Sequence, residues 1–222
     1  MQAYDAAIIG AGPNGLAAAI TLAQAGRSVI VFEAAETIGG GARTAQLTLP
    51  GFHHDVCSAI HPLGRASPFF RWIPLHEHGL KWIHAPAALA HPLDDRSAVL
   101  VSRDLQATAA GLGRDGGSYL RLLEPLVRNW QSLIGEMLGP FQLPRHPFLL
   151  ARFGLLAVRS ARGLAAARFR DAPARALFGG LGGHSMLPLE SMLSAAAGLA
   201  VGVLAHAVGW PMAAGGSQKI TE

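Results

Sequence analysis

The order of apolar and polar positions near the start of the chain predicts a strand, a helix and a second strand. Residues 4–9 are an apolar run that ends at a glycine, which is typical of a buried strand. Strong helix formers occupy residues 14–25, and Gly26 follows them as a C-cap. Residues 28–32 are again apolar and β-branched, and they end at Glu33. This order, within about thirty residues, is that of the βαβ unit of a parallel sheet.

The pattern changes after residue 80, where short apolar runs are separated by prolines and polar turns. These runs predict an antiparallel meander with strands at residues 80–84, 87–91 and 98–101. Beyond residue 102 the spacing is helical. Ser118 is the expected N-cap of a long helix that is kinked at Pro125 and reaches residue 138. Further helices are expected at residues 148–159, 172–180 and 189–208.

Only two strands of the parallel type are visible, whereas a parallel sheet normally has several strands and helices on both faces. Residues 215–217 also open a new helix just before the chain ends. We therefore expect the chain to be the front portion of a longer protein. The expected fold class is α/β, with an incomplete Rossmann-type parallel sheet, a small antiparallel sheet and helices.

The composition favours a globular protein. Half of the residues are hydrophobic and 14% are charged, which excludes a disordered chain. Residues 192–208 carry no formal charge, but their histidine, glycines and alanines favour a buried helix over a membrane span. Cys57 is the only cysteine, so no internal disulfide is expected. The first residues lack the basic segment of a signal peptide, and we expect a cytoplasmic location.

The net charge of +4 comes from scattered arginines without interleaved aromatic residues, which argues against nucleic acid as a partner. Residues 145–175 are the exception, with seven arginines and the single acid Asp171. Arg145, Arg152 and Arg159 are spaced seven residues apart and are expected to share one helical face. This face is solvated or, alternatively, makes a peripheral contact with anionic lipid while an apolar substrate is taken up. The histidine pairs lack a third ligand, so no metal site is expected.

A glycine motif joins the first predicted strand to the helix. It consists of Gly10, Ala11, Gly12, Pro13, Asn14 and Gly15. Gly10 permits the tight turn, Gly12 lets the backbone approach a pyrophosphate, and Gly15 allows close packing of helix and strand. The pyrophosphate would lie at the amino end of the helix. Glu33, at the end of the next strand, can accept hydrogen bonds from both ribose hydroxyls.

A second glycine cluster follows soon after Glu33. It consists of Gly39, Gly40 and Gly41, and Ala42, Arg43 and Thr44 come directly after it. An NAD site does not need this cluster, whereas a longer cofactor such as FAD requires the backbone to pass close to it again. Arg43 can neutralise a phosphate or bond to a ribose. The alternative interpretation is a surface glycine loop.

Residues 5–44 resemble the FAD fingerprint of the amine oxidase and phytoene desaturase superfamily. More of the chain resembles one branch, the phytoene dehydrogenase-like FAD/NAD(P)-binding oxidoreductases. The stretches that carry this resemblance are LPGFHHD (49–55), SAIHPL (58–63), AHPLDD (90–95), LGP (138–140), HSMLP (184–188), VGWP (208–211) and GGSQ (215–218). Members of this branch insert a substrate domain into the FAD domain, and their C-terminal part returns to complete the flavin site.

The resemblance implies a flavin-dependent oxidoreductase that transfers hydride from a substrate carbon to FAD. The implied division is a FAD-binding unit at residues 1–65, a helical substrate domain at 66–210, and the start of a return to the FAD domain at 211–222. It also places His61 near the flavin ring, although a loop histidine that only bonds to the backbone fits the residues equally well. No catalytic residue can be named, and the implied substrate is an apolar small molecule.

Two alternatives stay open. One is an NAD-binding dehydrogenase, against which the second glycine cluster argues. The other is a non-catalytic fragment, or one half of a split flavoprotein that requires a partner chain to supply the missing half.

Overall fold

The computed structural model describes residues 3–140 and 142–222 and divides the chain into two compact units. The first unit contains residues 3–61, Phe69–Ile83 and Met212–Glu222, and the second contains Pro62–Pro68 and His84–Pro211. Residues 62–65, expected in the FAD-binding unit, lie with the second unit, and residues 69–83, expected in the substrate domain, lie with the first. The α/β fold class is confirmed.

The first unit begins with the predicted βαβ arrangement. Strand β1 (Ala6–Ile9), helix α1 (Pro13–Gln24) and strand β2 (Val29–Phe32) follow one another, and the two strands pair in parallel with Ala6 opposite Val29. The remaining elements are a 3₁₀ turn at Gly40–Ala42, strands β3 (Thr44–Gln46) and β4 (His53–Asp55), helix α3 (Pro68–Trp72, of which all but Pro68 belongs to this unit), strands β5 (Trp82–Ile83) and β8 (Met212–Ala213), and a 3₁₀ turn at Ser217–Ile220. Strands β3 and β4 pair antiparallel, as do β5 and β8.

The second unit is mainly helical and holds one antiparallel hairpin. Its elements are α2 (Pro62–Ala66), β6 (Leu89–Pro92), β7 (Ala98–Val101), α4 (Leu105–Gly111), α5 (Gly116–Arg128), α6 (Trp130–Leu138), α7 (Pro147–Ala157), α8 (Ala161–Arg168), α9 (Ala172–Gly183) and α10 (Ser194–Ala207). Two helices start at side-chain caps that satisfy free backbone N–H groups. Asp104 accepts from the N–H groups of Gln106 and Ala107, and Ser160 accepts from Gly163.

A single large apolar cluster holds the second unit together. Tyr119, Phe169 and Phe178 are at most 1% exposed, and leucines of α5, α9 and α10 pack around them. Helix α10 is buried along most of its length, as expected for residues 192–208. Within the described ranges, no helix is both long enough and apolar enough to cross a membrane.

The predicted three-stranded meander is wrong in one strand. Strands β6 and β7 form the expected hairpin, with Leu89 opposite Val101. Strand β5, however, pairs with β8 near the other end of the sequence, and both of these strands belong to the first unit. The polar turn at residues 94–97 fixes the hairpin locally, whereas no local signal specifies the partner of β5.

The predicted single helix from Ser118 to residue 138 is also wrong. The chain forms α5 and α6, which are separated at Asn129, and α5 begins at Gly116. A Cβ atom on Gly116 would lie 2.2 Å from the carbonyl oxygen of Ala109, so the entry into α5 requires a glycine. Pro125 lies inside α5, and the side-chain amide of Asn129 donates to its carbonyl.

The expectation that three arginines share one helical face is also wrong. Helix α7 covers Pro147–Ala157, so Arg145 precedes the helix and Arg159 follows it. Arg152, the only one of the three within α7, donates to the carbonyl of Arg121. That carbonyl lacks its usual helical donor, because Pro125 has no N–H group. The three arginines therefore do not form one stripe.

Candidate functional site

The first glycine motif forms a tight turn between β1 and α1. Gly10 has φ +92° and donates its N–H to the carbonyl of Phe32, while Gly12 is the N-cap of α1. A Cβ atom on Gly15 would lie 2.0 Å from the carbonyl oxygen of Gly10. This contact gives a physical reason for glycine at position 15, since any side chain would push the helix away from the turn.

The second glycine cluster lies directly against the first. The N–H of Gly39 donates to the carbonyl of Ala11 over 2.8 Å, and a Cβ atom on Gly40 would come within 3.2 Å of the Gly12 Cα atom. Gly39 and Gly40 both have positive φ angles, of +118° and +53°. The sequence places the two clusters more than twenty residues apart, and the fold brings their backbones into contact.

The amino end of α1 is chemically suited to an anion. Gly12 provides no side-chain cap, and the first turn contains no acidic residue. Pro13 has no N–H group, so the N–H groups of Asn14 and Gly15 are the first ones of the helix without an intrahelical acceptor. Together with the helix dipole, they favour a negatively charged group at this position.

Glu33 is held in place by the backbone of both neighbouring loops. One carboxylate oxygen accepts from the N–H of Ala11 over 2.6 Å, and the other accepts from the N–H of Ala35 over 2.9 Å. These bonds, that of Ala35 first, hold the pKa of Glu33 below its ordinary value. Because each carboxylate oxygen has a further lone pair, both can still accept a hydroxyl of a ligand.

Arg43 and Thr44 leave the second glycine cluster toward β3. The Nε–H of Arg43 donates to the carbonyl of Gly40 over 3.0 Å, and among the described residues no hydrogen bond uses its terminal Nη groups. The hydroxyl of Thr44 donates to Asp55 over 2.7 Å and accepts from the N–H of Gln218 over 3.1 Å. Thr44 thus connects the cluster to β4 and to the last residues of the chain. A role in cofactor binding stays a prediction for Arg43 and for Thr44.

His61 joins the same network through Ser217. Its Nε2 atom lies 2.7 Å from the Ser217 hydroxyl, which itself donates to the carbonyl of Ser58 over 2.6 Å. When the Ser217 proton is donated to Ser58, the matching tautomer of His61 donates from Nε2 and leaves Nδ1 as an acceptor. The ring also packs against Trp82, with the ring centroids 6.1 Å apart. Burial lowers the pKa of His61, and the nearby Asp55 carboxylate opposes this shift.

Asp55 lies at the centre of this network, and sequence reasoning did not select it as a site residue. It accepts from the Ser217 N–H over 2.7 Å and from the Thr44 hydroxyl. Burial alone would raise the pKa of Asp55, but these hydrogen bonds hold it below its ordinary value. The stretches at residues 49–55 and 215–218 were visible as motifs, although nothing in the sequence indicated that they touch.

Comparisons with known proteins agree with this geometry. Residues 8–73, less than a third of the chain, match the family described as "NAD(P)-binding Rossmann-like domain". "Pyridine nucleotide-disulfide oxidoreductase domain-containing protein 2" of Rattus norvegicus and its Mus musculus counterpart are each 42% identical to this chain over 78 residues. These matches cover 35% of this chain and 13% of each relative.

Two solved structures share the fold over nearly the whole chain. Putrescine oxidase bound to putrescine matches 98% of this chain with a TM-score of 0.56 at 22% identity. Cyclohexylamine oxidase from Brevibacterium oxydans matches 99% with a TM-score of 0.55 at 20% identity. This chain spans about half of each, 47% and 48% respectively. The first residues of the chain thus form a Rossmann-type dinucleotide-binding unit.

Proposed function

We propose that this chain is the FAD-binding part of a flavin-dependent oxidoreductase, in which hydride passes from a substrate carbon to the flavin. The observation that carries this proposal is the contact between the two glycine clusters, beside Glu33 and the amino end of α1. A cofactor that contacts both clusters must extend further than one that binds only at the turn between β1 and α1. FAD supplies the hydride acceptor, while the protein binds and orients it.

The residues present fit the ADP end of FAD. The absence of Cβ atoms at Gly12 and Gly40 leaves a bare backbone surface where a pyrophosphate can approach the N–H groups of α1. Glu33 would bind the ribose hydroxyls with its remaining lone pairs. A carboxylate at this position would repel a 2′-phosphate, which favours FAD or NAD over NADP. Arg43 would offer its Nη groups to a phosphate or ribose.

His61 fits the flavin end of the site, as the sequence resemblance implies. Its Nε2 is held by Ser217, so the ring cannot turn freely and Nδ1 keeps a fixed direction as an acceptor. Burial keeps the ring neutral at pH 7, since its pKa is lowered from the ordinary value. We propose that His61 orients the cofactor or a substrate hydrogen through Nδ1. No proton transfer is assigned to it.

NAD is the competing cofactor, and the matched family carries NAD(P) in its description. A NAD-dependent dehydrogenase would use the first glycine motif and Glu33 in the same way. It would give no role to the second cluster, whose Gly39 is buried and adopts a left-handed conformation against Ala11. This difference makes FAD the stronger proposal.

The phytoene dehydrogenase-like branch and an apolar substrate are finer proposals that rest on the sequence resemblance. Three of its stretches, which contain His91, His184 and Trp210, lie near one another in the second unit. The ring of His91 occupies the space beside Gly180, where a Cβ atom would lie 1.8 Å from its Cε1 atom. His184, one turn further along, contacts Trp210 with ring centroids 5.3 Å apart. An amine is the competing substrate class, because the solved structures are named putrescine oxidase and cyclohexylamine oxidase.

One half of a split flavoprotein is a second candidate, and the β1–β2 sheet favours it. Ile9 is 82% exposed and Phe32 is 53% exposed, at the carboxyl ends of the two strands. Apolar side chains at the ends of parallel strands are normally covered. A partner chain that adds strands here would cover them. A cytoplasmic location remains a proposal from the sequence. Peripheral membrane contact does too, although the arginine stripe from which it was inferred does not form.

The proposal is tested by the cofactor that the purified chain binds, together with any polypeptide that copurifies with it. We expect FAD to bind, as measured by quenching of flavin fluorescence, and NAD to compete poorly. Gly12→Val should abolish binding because the new side chain occupies the pyrophosphate position. Glu33→Ala should weaken binding by about 1.5–3 kcal/mol, the range for a charge-assisted hydrogen bond.

Gly135→Val is the matched control, since a Cβ atom at Gly135 in α6 meets no atom within 4 Å. It should bind FAD like the unmodified chain. Tight binding of NAD without binding of FAD would overturn the FAD proposal and leave the dehydrogenase.

A further inference from the structure

Four arginine side chains line one surface cleft of the second unit. Arg121 comes from α5, Arg168 from the end of α8, Arg170 from the following link, and Arg175 from the first turn of α9. The cleft has a volume of about 430 Å³ and also exposes Ser118. We refer to it as the arginine cleft. It is distinct from the glycine clusters, which belong to the first unit.

The acidic groups near the arginine cleft are already engaged. Asp171 forms a two-pronged ion pair with Arg114. Asp115 is 1% exposed, and its carboxylate accepts from the backbone N–H groups of Arg170 and Asp171. Arg114 and the four lining arginines carry five positive charges, whereas Asp115 and Asp171 carry two negative ones. The cleft therefore has a surplus of about three positive charges.

Only a few of the hydrogen-bond donors of the lining arginines bind other residues of the protein. Arg175 donates its Nε–H to the carbonyl of Phe169 over 2.9 Å, and Arg121 donates one Nη group to Ser118 over 2.9 Å. Each guanidinium has five donor hydrogens, so these bonds orient the side chains and leave most donors for a ligand. Among the described residues, no hydrogen bond uses the side chain of Arg168 or Arg170. Arg114, which makes the direct ion pair with Asp171, lowers the pKa of that carboxylate most, and the charges of Arg175 and Arg170 lower this pKa further.

The negative end of the α8 dipole accounts for part of this clustering, but only for a fraction of one charge. It cannot balance four guanidinium groups. A phosphate carries about two negative charges and accepts paired hydrogen bonds from guanidinium forks, whereas a single carboxylate carries one charge and two oxygens. The surplus charge and the number of open donors both fit a phosphate or pyrophosphate.

We propose that the arginine cleft binds the phosphate or pyrophosphate group of a ligand, with Arg168 and Arg170 as the principal contacts. Arg121 and Arg175, held by Ser118 and Phe169, would complete the site. The ligand could be a soluble phosphorylated molecule or a phospholipid headgroup, because the chemistry that the cleft recognises is the same. The proposal is independent of FAD binding, which concerns the other unit.

Calorimetric titration of the full chain with pyrophosphate tests this site. Wild type should bind pyrophosphate in the cleft, with an affinity that falls as salt is raised. Arg168→Gln combined with Arg170→Gln should weaken this binding by about tenfold or more, because charge-assisted hydrogen bonds are lost. Arg128→Gln combined with Arg162→Gln removes the same net charge from two exposed arginines that pair with glutamates, and binding should stay within about twofold.

Two further measurements separate this site from others. Gly12→Val, which alters the first unit, should leave the arginine-dependent binding in place, so failure of the FAD proposal and failure of this one give different results.

Vesicles of phosphatidylglycerol in phosphatidylcholine distinguish the two sources of the phosphate group. Vesicle binding that pyrophosphate displaces indicates a phospholipid headgroup, and absence of vesicle binding indicates a soluble ligand. Pyrophosphate binding that is absent in wild type, or equal in wild type and the Arg168/Arg170 double variant, would overturn the proposal.

Discussion

The two units differ in what specifies their structure. The first unit depends on backbone conformation: its strands are short, and its loops turn at glycines with positive φ angles, including Gly10, Gly39 and Gly216. The second unit depends on burial, with helices packed around Tyr119 and Phe178, both of which are fully enclosed. A unit built from loops can present backbone N–H groups to a ligand, whereas a packed helical unit presents side chains.

The amount of buried apolar surface follows the same division. The buried cluster of the first unit contains Leu80, Ala213 and Ile220, while Ile9 and Phe32 remain exposed on its parallel strands. The cluster of the second unit draws on most of its helices. We therefore expect the first unit to be sensitive to changes at single glycines and the second to be sensitive to truncation of single large side chains.

The largest expected effect is that of Gly15→Ala. The new methyl group would lie 2.0 Å from the carbonyl oxygen of Gly10, far inside van der Waals contact, and neither backbone can move without opening the turn. We expect loss of FAD binding together with increased protease sensitivity of the first unit. Limited proteolysis with mass spectrometry measures which unit is cleaved.

Gly135→Ala is the control for this change, since it places the same methyl group in open space on a helix. It should leave proteolysis unchanged or stabilise α6 by about 0.5–1 kcal/mol. Equal behaviour of the two variants would show that close packing at Gly15 does not specify the first unit.

The second effect in size is that of Phe178→Ala in α9. Phe178 is completely buried and packs against Phe169, so its removal should cost about 3–5 kcal/mol of unfolding free energy. Urea titration followed by circular dichroism measures this loss, because the second unit contributes most of the helix. FAD binding under native conditions should survive, since the first unit is untouched.

Phe148→Ala in α7 removes the same side chain from a position that is 90% exposed. It should change the unfolding free energy by less than about 0.5 kcal/mol. Similar losses for the two phenylalanine variants would contradict the contrast in burial between the two sites.

Local signals explain what could be predicted from the sequence. The βαβ unit and the Gly10–Gly15 turn follow from residues that are neighbours in the chain, and the hairpin of β6 and β7 follows from its polar turn. Helices α7, α9 and α10 were predicted within a few residues of their observed bounds. The predicted start of α10 was too early because Leu193 adopts a left-handed conformation, with φ +71°, which interrupts the helix before Ser194.

Long-range pairing explains what could not be predicted. Strand β5 and strand β8 are separated by more than a hundred residues, and two-residue strands carry no periodicity from which a partner could be read. The hydrogen bond between Asp55 and Ser217 joins residues 162 positions apart. Both contacts join residues that are distant in the sequence and become neighbours only in the folded first unit.

The smallest predicted effect concerns acid stability and the buried pair of His206 and Tyr119. Nε2 of His206 lies 2.8 Å from the Tyr119 hydroxyl, and Nδ1 is buried without a hydrogen-bond partner among the described residues. Burial lowers the pKa of His206, while the nearby backbone of Arg103 and Ser102 and the carboxylate of Asp104 oppose this shift. The ring is therefore neutral in the folded state at pH 7.

The sign of the effect follows from this lowered pKa. Below the unfolded value of 6.5 the unfolded chain binds a proton at His206 that the folded chain does not, so stability is full above pH 6.5 and decreases as the pH falls. One such histidine contributes a slope of at most about 1.4 kcal/mol per pH unit.

His206→Gln can keep a hydrogen bond to Tyr119 but cannot titrate. Its unfolding free energy should therefore depend less on pH between 6.5 and the folded pKa, by up to this slope, in urea titrations at several pH values. His76→Gln, at an exposed position of the first unit, should follow wild type. Parallel pH profiles for wild type and His206→Gln would mean that the buried ring takes up its proton without unfolding the second unit. Burial in the packed helical unit would then have no effect on its stability at acidic pH.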